Sequence, residues 1–305
     1  MRGVFMGASD VVPGVSGGTM AFILGIYEEL IESLRTLGEP RFLKAVFSLR
    51  IAQALEMVNW KFLLSVGAGI GLAVLTLAHS LEWLLINYPV YLWSFFFGLV
   101  LASVFVVARR VSSWTAPRIA ALAFGAIGAF LLVGLVPVQT PETWWFLFFS
   151  GALAICAMIL PGISGAFILL LLGKYEFLLS AVTQRDFASL AIVIIGAAIG
   201  LVTFAQILGR LFERYHDTTV ALLTGLMIGS LRKVWPWKED IAWLQDVDGG
   251  FLLDSAGQRI VLQQADILPP LANSGDLTEF TIALLLGLAG LAAILLLDRL
   301  AMQKS

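Results

Sequence analysis

The chain has 305 residues, of which 59% are hydrophobic and only 13% are charged, and its formal net charge is −2. This balance argues against a basic surface for nucleic acid, and soluble domains carry about 25% charged residues. Six long runs contain no charged residue at all: 62–81, 83–108, 119–141, 143–173, 187–209 and 280–297. Because a helix needs about 20 apolar residues to cross a bilayer, the sequence predicts an all-α polytopic membrane protein.

The first predicted element is a broken helix. Pro13 and Gly14 interrupt an apolar stretch, and the following Ser-Gly-Gly-Thr at 16–19 can begin a second half-helix. Only twelve residues precede Pro13, too few to cross a membrane at about 1.5 Å each. Residues 1–37 are therefore predicted to form a re-entrant hairpin. Three spans are predicted to follow, at about 60–82, 89–109 and 118–137, which completes a first repeat over 1–140.

The second half of the chain repeats the first. PGISGAFILLLLGKYEFLL at 161–179 matches PGVSGGTMAFILGIYEELI at 13–31 in nine of nineteen positions. A second hairpin, broken at Pro161 and Gly162, is therefore predicted over 144–182. The second repeat, 141–305, continues with spans predicted at about 187–210, 217–235 and 279–299. Its polar segment, 236–278, is predicted to be a small solvent-side insert with short strands at 251–253 and 259–262.

Positive charges predict the orientation of the two repeats. Lys and Arg concentrate between the first hairpin and the first span, and again at 109–118, and such loops tend to stay cytoplasmic. The second repeat then begins from the outer face, so the two repeats are predicted to be inverted, with both termini cytoplasmic and the insert outside. Arg232, Lys233 and Lys238 conflict with the charge rule, since this arrangement puts them outside.

Two inverted broken helices that meet near the midplane are typical of transporters, which hold substrate and coupling ions there. The exposed N–H groups at a helix start favour anions. A phosphate-sized anion site is accordingly predicted at two clusters of small and hydroxyl residues: Ser16, Gly17, Gly18 and Thr19, with Ser164 and Gly165. The alternative is that Pro13-Gly14 and Pro161-Gly162 are helix kinks relieved by close packing.

Carboxylates inside apolar segments are costly and are usually functional. Asp10 lies three residues before the first break, and Glu28 and Glu176 end the matched G-x-Y-E segments. Each is a candidate site for a coupling proton or Na⁺, although the two glutamates also fit a structural role at the membrane interface. His79 and His216 are far apart and match no metal spacing, so no metal, organic cofactor or catalytic residue is predicted.

Residues 7–31, GASDVVPGVSGGTMAFILGIYEELI, resemble the signature of the PopT family of polyprenyl-phosphate (undecaprenyl-phosphate) transporters, once labelled a family of unknown function. LPGISG with LLLGKYE and GLMIGSLRKVWPW at 225–237 extend the resemblance over most of the chain. It implies return of undecaprenyl phosphate, the lipid carrier of peptidoglycan and other envelope polymers, to the inner leaflet of the bacterial cytoplasmic membrane. Ala166 departs from the family pattern, where a serine is expected, so the second break offers fewer donors.

The leading hypothesis is therefore a flippase whose partners are polyprenyl phosphate and membrane lipids. Arg232 and Lys233 are candidates for attracting the head group, although they also fit the role of snorkelling residues that set the end of a span. One alternative is a transporter of a small soluble anion. A membrane enzyme acting on lipid phosphate is a weaker alternative, because the sequence has neither a phosphate loop nor a nucleophile elbow.

Overall fold

The computed structural model describes residues 2–11, 16–138, 140–243, 250–251, 259 and 261–302. Its described part is mostly helical, with one small sheet. The helices of the first half are α1 Arg2–Val11, α2 Gly17–Ile23, α3 Tyr27–Thr36, α4 Pro40–Phe47, α5 Ile51–Met57, α6 Trp60–Asn87, α7 Pro89–Ala108 and α8 Ala116–Val133. Three of these, α6, α7 and α8, are long and apolar enough to span a membrane.

The second half contains five helices and two strands. They are α9 Trp144–Ile159, α10 Gly165–Leu171, α11 Tyr175–Gln184, α12 Phe187–Ser230, β1 Lys238–Trp243, β2 Val261–Asp266 and α13 Ser274–Met302. Both α12 and α13 can span a membrane, and α10 with α11 forms a pair bent by 100° that adds a sixth candidate span. The predicted all-α polytopic class is thus confirmed, and the chain is a multi-pass membrane protein. The repeat and its inversion stay predictions.

Each predicted hairpin is a set of three short helices. The first contains α1, α2 and α3, and the second contains α9, α10 and α11. Pro161 and Gly162 lie in the turn that ends α9, as predicted. Pro13 and Gly14 lie outside the described residues. Gly25 and Gly173, which the repeat aligns, both have a positive φ, at 69° and 63°.

The spans differ from prediction mainly in how α12 is divided and where it ends. Separate spans were predicted at 187–210 and 217–235, and the 44-residue α12, Phe187–Ser230, consists of two helical stretches that meet at a kink. Its single irregular residue is Tyr215, with φ −137° and ψ 47°. The bend at Tyr215 separates two helical stretches without the polar loop that hydropathy detects, and the helix ends at Ser230 rather than at 235.

Small residues bring the long helices together. A Cβ on Gly225 would lie 2.1 Å from the Leu122 carbonyl of α8, and one on Gly98 would overlap the Gly287 backbone of α13. Such close approach replaces the hydrophobic driving force that lipid-exposed helices lack. The main helix pairs are α8 with α12, α7 with α13, α9 with α12 and α1 with α6. The buried core, which includes Phe22, lies around α2, α3, α7 and α12.

The insert after α12 contains an antiparallel β-hairpin, in which β1 pairs with β2 from Lys238 opposite Asp266 to Trp243 opposite Val261. The first strand, β1, begins at Lys238 and was not predicted. The predicted strand at 251–253 falls mostly outside the described residues. Phe251 forms only an isolated bridge, and residues 252 and 253 lie outside the described part. The predicted strand at 259–262 overlaps the start of β2.

Two short helices, α4 and α5, were not predicted. Exposed apolar side chains, Phe47, Leu49 and Ile51, lie at the turn between them. Together with the flanking Arg41, Lys44 and Arg50 this composition is typical of helices that lie in the membrane interface.

Candidate functional site

The first break is held by two side chains of its own hairpin. Ser16 caps α2, since its hydroxyl oxygen accepts a hydrogen bond from the Gly18 N–H at 3.1 Å. The Gly17 N–H donates to the Asp10 carboxylate at 2.7 Å. The first N–H groups of a helix lack intrahelical acceptors, so Asp10 supplies a negative charge at the position where an anionic ligand is expected to bind. Ser16 and Thr19 are both buried.

The two breaks are hydrogen-bonded to each other. The Ser16 hydroxyl lies 3.1 Å from the Met158 carbonyl and 3.2 Å from the Leu160 carbonyl, at the end of α9. In return, the Gly162 N–H donates to the Thr19 hydroxyl at 2.9 Å. Residues 142 to 144 positions apart in sequence thus satisfy each other's backbone groups in an apolar interior, where an unpaired group costs several kcal/mol.

Glycine is required at two positions of this contact. A Cβ on Gly18 would lie 2.3 Å from the Ile159 carbonyl oxygen. Gly162 has φ +90°, and a Cβ there would lie 2.5 Å from the Ser230 hydroxyl at the end of α12. The first glycine permits close approach of the two hairpins, and the second permits the turn that lets α10 begin.

The second break is less polar than the first. Ser164 is only partly buried and makes no side-chain capping bond to α10. Gly165 packs close to the Ala154 carbonyl of α9. Ser16 and Gly165 both lie next to Met158 of α9. Ser16 and Thr19 form hydrogen bonds with the protein, whereas the Ser164 hydroxyl has no partner among the described residues.

The two glutamates lie apart from these residues. Glu28 is exposed and contacts the His216 ring nitrogen at 3.2 Å, beside a cavity of about 380 Å³ that Glu29, Glu32 and Glu213 also line. One carboxylate oxygen of Glu176 is buried without a hydrogen bond. Neither glutamate bonds to a described residue of the breaks, so of the three predicted carboxylates Asp10 is the one that the described residues place at the contact between the hairpins.

The two hairpins contact the protein near opposite ends of α8. At one end, Arg118 forms an ion pair with Asp217 at 3.0 Å, and the neighbouring His216 contacts Glu28 of α3 in the first hairpin. At the other end, α8 gives way to a loop whose Val138 N–H donates to the Leu171 carbonyl of the second hairpin at 2.9 Å.

A basic pocket adjoins the second hairpin. Arg232 and Lys233 lie there, as the sequence suggested, together with Lys238 of β1. The Lys233 ammonium lies 4.9 Å from the ring centre of Phe167 in α10, and the Lys238 ammonium lies 4.6 Å from that of Trp93 in α7. The pocket has a volume of about 50 Å³. The three cations therefore line one pocket. Arg232, the first of them, follows Ser230, which contacts Gly162, by two residues.

Asp266 is the acidic side chain of this pocket. Its carboxylate lies 3.5 Å from the Arg232 guanidinium. Among the described residues that line the pocket, this single carboxylate leaves two of the three basic side chains without an acidic counterpart. Burial lowers the pKa of Lys233, and burial together with the charge of Lys233 lowers the pKa of Lys238 to about 7. Burial away from water is the main cause of both shifts, and the neighbouring Lys233 charge adds to that of Lys238.

Lys238 was missed as a site residue because the sequence assigned it to the insert. A signal was present, since Arg232-Lys233 and Lys238 flank the aromatic W-P-W segment. The Lys238 ammonium donates to the Lys233 carbonyl and lies over Trp93 of α7, and these two contacts bring it to the other cations.

The fold and the site together define a multi-pass helical membrane protein in which two broken hairpins meet and a basic pocket lies beside one of them. The family model described as undecaprenyl phosphate translocase-like matches residues 6–251. The chain belongs to this family.

Two curated relatives extend the comparison. A protein of Vibrio cholerae serotype O1 named polyprenyl-phosphate transporter is 42% identical over 99% of this chain and 96% of its own length. A protein of the same name from Staphylococcus aureus is 29% identical over 77% of this chain and 85% of its own length. No solved structure matches.

Proposed function

We propose that this protein transports a polyprenyl phosphate, and that it returns undecaprenyl phosphate from the outer to the inner leaflet of the bacterial cytoplasmic membrane. The observation that carries the proposal is the direct hydrogen bonding of the two broken hairpins through Ser16, Thr19 and Gly162. It creates a polar centre inside apolar helices, as translocation of a charged head group requires. Family membership and the names of both relatives support the choice of substrate.

In this proposal the head group binds in two places. The basic pocket of Arg232, Lys233 and Lys238 receives the phosphate at the outer face, where the charges attract an anion. The phosphate then passes to the N–H groups and hydroxyls of the breaks, at Ser164 and Gly165 and at residues 16–19. The short path between the pocket and Gly162, along the end of α12, supports this order.

Asp10 gives the proposal a route to ion coupling. Its carboxylate and a phosphate oxygen compete for the same Gly17 N–H. A proton bound to Asp10 removes the negative charge that repels phosphate, and Na⁺ bound there neutralises it. Entry of phosphate is thereby linked to binding of a cation. In this proposal both termini lie in the cytoplasm and the insert lies outside, as the positive charges predict. The contacts of the two hairpins near opposite ends of α8 support the inverted arrangement.

The test uses purified protein in liposomes that contain a fluorescent polyprenyl phosphate, with leaflet exposure measured by a membrane-impermeant quencher. Wild-type protein is expected to accelerate exchange between leaflets. Ser16→Ala and Asp10→Asn are expected to slow it, while Ser65→Ala, whose hydroxyl bonds within α6, is the matched control. A rate equal to that of protein-free liposomes contradicts the proposal.

The same liposomes separate the alternatives. Uptake of inorganic phosphate into the lumen without lipid exchange would indicate a transporter of a soluble anion. Release of phosphate from the lipid would indicate an enzyme.

A further inference from the structure

An apolar groove runs between α7 and α13 on the face of the protein beside the basic pocket. Its volume is about 270 Å³. Small residues, among them Ser94, Gly98 and Gly287, line it where the two helices touch. Trp235, Trp237 and Phe280 line it at the level of the insert. The groove therefore has a recess between the helices and an aromatic end near the membrane surface, where tryptophan is enriched.

The groove and the basic pocket share one segment of chain. Trp237 lines the groove and packs on Phe280 with ring centres 5.8 Å apart, and the next residue, Lys238, lines the pocket. Lys238 also lies over Trp93, the residue before Ser94 of the groove. Lys238 of the pocket thus follows Trp237 of the groove directly in the chain, and it contacts α7 one residue before Ser94 of the groove.

The basic pocket and the apolar groove are adjacent at Trp237–Lys238, an arrangement that matches an amphiphile with an anionic head and a hydrocarbon chain. A bulk acyl chain gains little by leaving lipid for such a groove, because lipid tails are as apolar as the helices. A chain tethered to a phosphate in the basic pocket is held beside the groove and needs only dispersion contacts to occupy it. The recess at the glycines suits the methyl branches of an isoprenoid chain better than a straight chain.

We propose that the groove between α7 and α13 holds the phosphate-proximal isoprene units of the lipid whose head group occupies the pocket of Arg232, Lys233 and Lys238. This inference rests on the proposed function and deepens it, since it assigns the chain of the substrate a binding site of its own. It places recognition of the isoprenoid outside the two broken hairpins.

Gly287 offers a variant that fills the groove without breaking the helix pair. A Cβ there meets nothing closer than the Ser94 carbonyl at 3.4 Å, which is ordinary contact, whereas a Cβ on Gly98 would clash with the Gly287 backbone. Gly287→Leu therefore places a side chain in the groove. Gly71→Leu on α6 is the matched control, because no atom lies within 4 Å of a Cβ at that position.

The experiment measures affinities of farnesyl phosphate, dodecyl phosphate and inorganic phosphate for full-length protein in detergent. Wild-type protein is expected to bind farnesyl phosphate more tightly than either other probe. Gly287→Leu is expected to lower the affinity for farnesyl phosphate about tenfold, as exclusion of a methylene-sized group does in an apolar site. Its affinity for inorganic phosphate is expected to be unchanged. Gly71→Leu is expected to change neither affinity.

The outcomes distinguish the inference from the proposed function. If wild-type protein and Gly287→Leu bind farnesyl phosphate with equal affinity, the groove is not the binding site of the isoprenoid chain. The proposed function is unaffected by that result. Equal affinity of wild-type protein for dodecyl and farnesyl phosphate overturns the isoprenoid assignment. If wild-type protein binds farnesyl phosphate no better than inorganic phosphate, the proposed function fails and the groove with it.

A second measurement covers the case in which Gly287→Leu does not fold. A photoreactive polyprenyl phosphate, with its reactive group on the first isoprene units, is cross-linked to wild-type protein in liposomes and the adducts are mapped. Adducts on α7, α13 or the segment 235–237 support the assignment. Adducts confined to other helices overturn it.

Discussion

The Thr19 hydroxyl accepts a hydrogen bond from the Gly162 N–H at 2.9 Å, and so joins the two broken hairpins through a side chain of one and the backbone of the other. Both residues are buried. The bond explains how an N–H group freed by a positive-φ glycine is satisfied inside the membrane. It also makes the pairing of the hairpins sensitive to a single hydroxyl.

Thr19→Val is expected to lower the stability of the protein, because it keeps the shape of the side chain and leaves the Gly162 N–H buried and unpaired, at a cost of about 1–3 kcal/mol. Thermal unfolding in detergent measures the effect. Thr76→Val is the control, since the Thr76 hydroxyl bonds to the Leu72 carbonyl on an exposed face of α6. Equal melting temperatures for the two variants would contradict a structural role for this bond.

Gly18→Ala is expected to separate the hairpins, because its methyl group would lie 2.3 Å from the Ile159 carbonyl oxygen. Overpacking of this kind costs about 1–3 kcal/mol, and leaflet exchange of polyprenyl phosphate should fall with it. Gly67→Ala has open space around the added methyl and should be neutral or slightly stabilising, by about 0.5–1 kcal/mol. Unchanged stability and transport in Gly18→Ala would show that the close approach is not needed.

Binding of an anion in the basic pocket is expected to weaken as pH rises through about 7, the pKa of Lys238. Above that pH the free pocket loses the charge on Lys238, so affinity falls by up to about tenfold per pH unit. Lys238→Met should bind more weakly at low pH and lose this dependence, while Lys61→Met should retain it. Binding of sulfate, whose charge is constant in this range, is measured between pH 6 and 9. A wild-type profile identical to that of Lys238→Met would contradict the titration of Lys238.

The lowered pKa of Lys238 also makes the free energy of unfolding depend on pH. Its pKa is lower in the folded protein than in the unfolded chain, where it is 10.5. The unfolded chain therefore binds more protons between pH 7 and 10.5, and stability should rise with pH across that window. Unfolding midpoints of wild-type protein and Lys238→Met should converge as pH increases. Midpoints that differ by a constant amount at every pH would argue against a depressed pKa.

Asp266→Asn is expected to tighten anion binding, because it removes the carboxylate that lies 3.5 Å from Arg232. The gain should be several-fold, consistent with the roughly 1 kcal/mol typical of a partly exposed ion pair. Asp240→Asn on β1 is the control, since Asp240 bonds to Gln264 rather than to Arg232. Titration with inorganic phosphate compares the two, and an equal effect of both substitutions would indicate a general change in surface charge.

The sequence predicted the positions of the helix breaks better than the residues with which their side chains form hydrogen bonds. The repeat places both breaks, since Pro161 and Gly162 end α9 and Ser16 caps α2 as the P-G-x-S-G pattern predicts. Local residue chemistry decides such features. The partner of each hydroxyl depends instead on how distant segments pack, so the bonds from Ser16 to Met158 and Leu160 were not predictable.

The misplaced boundaries have a physical cause as well. Hydropathy measures the length of apolar segments, and the bend at Tyr215 joins two such segments without a loop. The strand at Lys238 was missed because its residues carry charge and lack clear alternation. Lys238 lies in the pocket through a hydrogen bond to the Lys233 carbonyl and through its contact with Trp93, which is on a helix far away in sequence.

Asp10 gives the empty protein a further property. Its carboxylate accepts a hydrogen bond from the Gly17 N–H and the Ser16 hydroxyl accepts one from the Gly18 N–H, so these two donors at the start of α2 are not available to bind a file of water molecules. An idle transporter sealed in this way should not dissipate the membrane potential. A carrier that waits for a scarce lipid can then remain in the membrane without acting as a proton leak.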